Sequence, residues 1–233
     1  MSKHNVWMSV SDLMTGLMVI FLFVAIAYMS RVEQNQTVLT DYVETRKQLH
    51  DKLVNEFEGD TLRWQMTIGK DLSMKFNNPT VLFEQGSWAL TGEFKSILDE
   101  FLPRYFDILL NDELNEKIKE IRIEGHTDNV AFPTLDKDSY IANAILSQRR
   151  ALSVLRYLRQ MPSFRNYSEK QKAQLEFWLT ANGLSYGKSL DKDGEFSFLS
   201  NKSIDLQLSR RVEFRIVTSG DEILENFVNK NLK

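Results

Sequence analysis

Residues 119–129 read KEIRIEGHTDN, and residues 143–158 read NAILSQRRALSVLRYL. In the first stretch Ile121 and Ile123 alternate with charged residues, the pattern of a half-buried strand that ends near Gly125. The second is amphipathic at helical spacing. It predicts a helix over 146–160 with Ser147 as cap, Asn143 ahead of it, and Arg149 and Arg150 in its first turn. Upstream, residues 80–83 (TVLF) predict a short strand. Residues 91–110 predict a helix capped by Thr91, with Glu93 in the first turn. Phe94, Ile97, Leu98, Phe101 and Leu102 form its apolar face, and Pro103 predicts a kink or break. Downstream, residues 168–173 predict a turn or short helix, and 176–181 and 211–217 predict strands. The polar stretch 191–209, which contains Gly194, predicts a loop or insertion. Strands alternating with helices imply an α/β sandwich, a mixed sheet with helices on one face.

The chain has 233 residues, and the soluble part is large enough for one domain with its own core. Ahead of it, residues 9–29 (SVSDLMTGLMVIFLFVAIAYM) carry a single charge, Asp12. Roughly 20 apolar residues suffice to cross a bilayer as a helix. A carboxylate within such a helix costs about 2.5–3.5 kcal/mol on insertion scales and marks a functional position by default. Lys3 and the tripeptide Ala25-Ile26-Ala27 also fit a cleaved signal peptide. The apolar run continues through Met29, however, and Asp12 is unwelcome in a signal core, so an uncleaved anchor is the preferred reading. Lys3 ahead of the span favours a cytoplasmic N-terminus, a bias that Arg31 weakens. The C-terminal domain then lies in the periplasm. The expected divisions are a tail at 1–8, a transmembrane helix at 9–29, a helical linker at 30–62, the α/β domain at 63–220 and a C-terminal tail at 221–233.

The linker is rich in Glu, Gln, Lys and Asp and lacks proline. Val32, Leu39 and Leu53 share one heptad position, interrupted by Arg46. Tyr42 and Leu49 share the companion position, preceded by Asn35. Such a broken seam fits either a parallel homodimeric coiled coil or a solvated helix. Net charge is −3, which provides no broad basic surface for nucleic acid. The absence of cysteine excludes an acylated lipoprotein anchor and fits an envelope compartment. Three histidines without a ligand-type spacing offer no metal site, and no nucleophile motif accompanies His126, so neither an enzyme nor a bound cofactor is expected.

Asp128, Asn143 and several arginines at element ends can together grip a zwitterion, the carboxylate taking an ammonium and a guanidinium taking a carboxylate. Charge pattern alone favours a capping Asp128 and solvated ion pairs. The residues themselves carry a resemblance. Gly125 to Asp128, Asn143, Leu146-Ser147-Gln148-Arg149-Arg150-Ala151 and Arg210 to Glu213 resemble the G-H-T-D, Asn, L-S-x-x-R-A and R-R-V-E pieces of the OmpA-like peptidoglycan-binding domain. Phe83, Gly86-Ser87 and Leu90-Thr91 resemble its entry motif. The resemblance covers about residues 80–218. It implies that Asp128 and Arg150 hold the diaminopimelate of the peptidoglycan stem peptide, with Thr127 and Asn143 lining or supporting the pocket. The insertion at 191–209 departs from the shortest members.

A span with one acid, a helical linker and such a domain resembles the B subunit of MotA/MotB-type motors. The span itself more closely resembles the B subunit of Zorya anti-phage systems. This resemblance implies that Asp12 carries the transported ion, with H⁺ expected; the oxygens of nearby Ser9, Ser11 and Thr15 would permit Na⁺ instead, although ordinary helix-end packing is the preferred reading of those three residues. The resemblance also implies that two copies stand inside a pentamer of A subunits in the inner membrane, and that the linker can act as a plug. A flagellar stator subunit and a passive membrane-to-wall tether are the competing expectations.

Overall fold

A computed structural model describes residues 3–84, 87–130 and 135–221, except for the side chains of residues 3–6, 8, 9, 34, 35, 38, 39 and 112. The expected C-terminal tail beyond Asp221, Gly86 of the entry motif, and the side chains of Ser9, Asn35 and Leu39 lie outside the described residues. The chain divides into two compact units, residues 1–44 and 45–233. Helix α1 (Lys3–Phe57) contributes to both.

In the first unit, Val10–Glu33 is long and apolar enough to cross a membrane, and none of it is buried within the chain. Leu13, Leu17, Phe21, Leu22 and Phe23 are all more than half exposed. Side chains of this kind are stable only against lipid or other apolar helices.

The second unit begins inside the expected linker. Leu49, Leu53 and Phe57 are fully buried in its core. This corrects the heptad reading, because Leu49 and Leu53 are used within the chain and cannot face a second copy. Arg46, which interrupts the heptad, donates to Asp221 at 2.8 Å and to the Lys70 carbonyl at 3.3 Å. Its place in the sequence reflects an intramolecular ion pair.

Strands β1 (Met66–Ile68) and β2 (Ser73–Phe76) form a hairpin that the sequence reading missed. Helices α2 (Pro79–Leu82) and α3 (Gly92–Leu109) follow, and then α4 (Asp112–Asn115) and strand β3 (Ile118–Gly125). Helices α5 (Ser139–Gln160), α6 (Pro162–Asn166) and α7 (Glu169–Trp178) precede strand β4 (Leu179–Gly183). Helices α8 (Ser197–Ser200) and α9 (Leu206–Ser209) lead into strand β5 (Val212–Thr218). The sheet order is β1-β2-β5-β3-β4, antiparallel except for the parallel β3–β4 pair. It is the expected mixed α/β arrangement.

Several boundaries moved for local reasons. Residues 80–83 are mostly helix, because Pro79 presets the first helical turn and the Asn78 side chain caps the Thr80 N–H. Phe83 keeps only a bridge to Leu90. Helix α5 starts at Ser139, where Asp138 accepts from the Tyr140 and Ile141 N–H groups. Asn143 therefore sits within the helix, and Ser147, the expected cap, is buried along its length. Helix α7 is fixed by a Ser168–Gln171 capping box and runs to Trp178, which displaces the expected strand at 176–181 to 179–183. Helix α3 runs through Pro103 to Leu109, with Thr91 capping Phe94 as expected.

Alternation along the strands separates two faces. Met74, Phe76, Ile121, Ile123, Phe214 and Ile216 enter the core. Phe101 of α3 links its parts, with its ring centroid 5.1 Å from Phe57, 5.2 Å from Phe76 and 5.2 Å from Phe214. Two glycines let α5 approach the sheet. A Cβ on Gly125 would lie 2.3 Å from the Ser147 carbonyl oxygen, and one on Gly183 would lie 2.3 Å from the Gln148 nitrogen. Both obstacles are backbone atoms, so the helix itself would have to move. Gly183→Ala is expected to cost about 3 kcal/mol through overpacking. For a domain of this size that is a drop of roughly 6–12 °C in Tm, measurable by thermal unfolding of the full chain in detergent. An unchanged Tm would show that the close approach is not needed.

Candidate functional site

The loop after β3 is held from two sides. The His126 N–H donates to the Arg211 carbonyl at 3.0 Å, and the Thr127 N–H donates to the Ser185 carbonyl at 3.1 Å. Asp128 Oδ1 accepts from the Val130 N–H at 3.0 Å. The Asn143 amide reaches across from α5 and donates to the carbonyls of Val130 and Ser139, each at 3.0 Å. The Ser147 hydroxyl accepts from the Ser185 N–H at 3.0 Å. Thr127, Asp128 and Asn143 are all buried.

Arg150 lies two turns along α5 from Asn143. Its Nε donates to the Ser87 carbonyl at 3.1 Å, and its guanidinium lies 4.8 Å from the centre of the Phe83 ring. Burial pushes this guanidinium down to about 10, with Asp128 opposing the shift and Arg210 adding to it. It remains a cation at neutral pH. Arg210 Nε lies 3.3 Å from Asp128 Oδ2. The fold thus brings Asp128, Arg150 and Arg210 into one electrostatic group. A buried acid near a half-buried guanidinium suits a ligand that carries an ammonium and a carboxylate on one carbon.

The four residues singled out in this domain divide by role. Asp128 and Arg150 present charge. The Thr127 hydroxyl is buried and finds no hydrogen-bond partner among the described residues. The amide nitrogen of Asn143 is committed to backbone carbonyls, so Asn143 positions the loop. Arg210 was missed as a site residue. The R-R-V-E motif contained it, but sequence spacing does not say that its side chain turns back to Asp128.

The rest of that motif builds a different structure. On the sheet face away from the core, Glu213 accepts from Arg211 at 2.5 Å and from Arg215 at 2.8 Å, and Arg215 also pairs with Asp71 at 2.6 Å. Burial raises the Glu213 carboxyl, but Arg211, His126 and Arg215 outweigh it and hold it below its usual range. His126 Nε2 lies 3.6 Å from both Glu124 and Glu213. Burial lowers the pKa of this imidazole, and neither ring nitrogen has a hydrogen-bond partner among the described residues. His126 supports the loop through its backbone N–H. Glu124, His126 and Glu213 bring ligand-type atoms within 4.8 Å of one another. Two guanidinium groups already neutralise this cluster, so a cation would meet positive charge there, and the donor set fits an ion-pair network better than a metal centre.

In the first unit, the Thr15 hydroxyl near Asp12 donates to the Ser11 carbonyl at 2.9 Å. A Cβ on Gly16, one turn after Asp12, would meet nothing within 4 Å. Any demand for a small residue there comes from another chain.

Residues 82–182 match the OmpA family. The Zorya protein ZorB of Escherichia coli strain ATCC 8739 is 38% identical over 226 residues, covering 92% of this chain and 88% of the relative. The chain belongs to the ZorB family. A second ZorB, from Escherichia coli O139:H28 strain E24377A, is 28% identical over 90% of this chain and 79% of its own length. Among solved structures, a MotB-like protein from Desulfovibrio vulgaris superposes with a TM-score of 0.50 at 20% identity, covering 76% of this chain and 93% of that one. That likeness shows the fold. The family match thus covers both parts of the chain, one apolar N-terminal helix and an OmpA-like domain with the fold of a MotB-like protein.

Proposed function

We propose that this chain is the wall-anchored B subunit of a proton-driven motor in the bacterial inner membrane, of the Zorya anti-phage type. Asp12 carries the ion, a pentamer of A subunits surrounds two copies of α1, and the second unit grips peptidoglycan in the periplasm. The observation that carries this reading is the lone carboxylate of Asp12 in the apolar helix of a ZorB-family chain. A charged Asp12 needs polar partners and a neutral one does not, so loading and release of a proton alternately favour two arrangements of the surrounding subunits. One charge moved across 100 mV supplies about 2.3 kcal/mol. That energy turns the ring only if the B subunits are fixed. The opposed charges of Asp128 and Arg150 support fixation through the zwitterionic end of diaminopimelate. A passive tether has no use for an acid in its apolar span, and relatives named for Zorya favour defence over motility. Lys3 ahead of the span supports a cytoplasmic N-terminus.

Vesicles containing this chain with its A-type partner should pass protons when a membrane potential is imposed. Flux no greater than in empty vesicles would overturn the ion-conducting role. Flux that follows a Na⁺ gradient and ignores pH would reassign the ion.

A further inference from the structure

The loop touched by Arg150 also carries an exposed aromatic ring. Its backbone is closed by hydrogen bonds from the Glu84 N–H to the Ala89 carbonyl (3.1 Å) and from the Ser87 N–H to the Glu84 carbonyl (3.0 Å), and the Ser87 hydroxyl accepts from the Ala89 N–H at 3.0 Å. Arg150 donates to the Ser87 carbonyl, which places the next residue, Trp88, at the lip of the charged pocket. Trp88 is 37% exposed. The Arg149 guanidinium lies 4.4 Å from its ring centre and covers one face of the indole. Trp64 and Trp178, the other tryptophans of the second unit, are buried in its core.

We propose that the face of Trp88 opposite Arg149 is a sugar-binding platform, which stacks on a ring of the glycan strand while the stem peptide occupies the Asp128–Arg150 pocket. This rests on the wall-binding reading above. A pyranose presents a face of C–H groups that packs on an aromatic ring, and an indole fixed in advance loses little entropy on binding. The cation–π contact with Arg149 supplies that fixation. Diaminopimelate is the third residue of the stem peptide, so two residues, at least about 7 Å of extended chain, separate it from the sugar that bears the peptide, and a platform for that sugar has to stand outside the charged pocket. Trp88 follows directly on the residue that Arg150 touches.

The test titrates the full chain in detergent with two soluble probes, the free diaminopimelate tripeptide and the same tripeptide on its disaccharide. Wild type is expected to bind the disaccharide form about five- to tenfold more tightly and to change its tryptophan fluorescence on binding it. Trp88→Ala should bind the free tripeptide as wild type does and lose the extra affinity of the disaccharide form. Trp88→Phe should keep most of the affinity and lose the fluorescence change. Equal binding of both probes by wild type would overturn the platform and leave the peptide pocket standing. So would an equal loss on both probes in Trp88→Ala, since that would mean Trp88 only shapes the loop. Binding of neither probe by wild type would overturn the wall-binding reading, and the platform with it.

Discussion

Asp12→Asn is expected to abolish protection against phage while leaving the amount of protein in the membrane and its retention by peptidoglycan unchanged. Asn keeps the shape of the side chain and most of its hydrogen-bonding capacity, but it cannot take up and release a proton. Nothing else between Val10 and Ser30 is charged, so no neighbour within the span can substitute. Insertion should become no harder, because a carboxylate within a membrane span is costly, up to about 2.5–3.5 kcal/mol at the helix centre and less near the end where Asp12 stands, and an amide costs less. Loss of activity without loss of protein is therefore the specific signature. Asp12→Glu, which restores a carboxyl on a longer arm, should recover part of the activity. Full protection by Asp12→Asn at wild-type levels would sink the ion-carrying role.

Arg150→Ala is expected to reduce co-sedimentation with purified peptidoglycan by roughly thirtyfold or more, the effect of about 2 kcal/mol for removing one partner of a buried charge contact. The guanidinium lies half-buried against Phe83 and near Asp128, so its orientation is set by the fold. Arg150→Lys should fall between, because lysine keeps the charge and loses the planar fork that matches a carboxylate. Asp128→Ala should show a loss of similar size by removing the acceptor for the ammonium. It also frees Arg210 from its contact at 3.3 Å and the Val130 N–H from its acceptor, so its Tm is measured alongside. Sedimentation unchanged in both Arg150→Ala and Asp128→Ala would remove the assigned pocket. A loss matched by a collapse in Tm would mark a folding defect.

The sequence was most legible where one pattern acted alone. The alternation of Ile121 and Ile123 and the apolar face from Phe94 to Leu102 located β3 and α3, because each records burial on one side of a regular element. It was least legible where two short-range preferences competed. The apolar run Val81-Leu82-Phe83 looked like a strand, and the Asn78-Pro79 start turned most of it into helix. Leu49 and Leu53 showed heptad spacing, but that spacing states that a face is apolar and not what covers it. In the fold that cover is the core of the same chain. Hairpin β1–β2 is short and mixed in polarity, which leaves too few residues for a period to show.

The order of residues alone set the apolar stretch with its one acid, and it placed an acid and an arginine in the loop and the helix that now hold them, because these are properties of a residue and its near neighbours. Tertiary structure decided that Asp128 faces both Arg150 and Arg210, that Arg211 and Glu213 turn to the opposite side of the sheet, and that Trp88 stands beside the pocket. Those outcomes depend on how closely α5 packs at Gly125 and Gly183 and on which way β5 alternates against β3. Both are settled by contacts between segments far apart along the chain, and no local pattern encodes them.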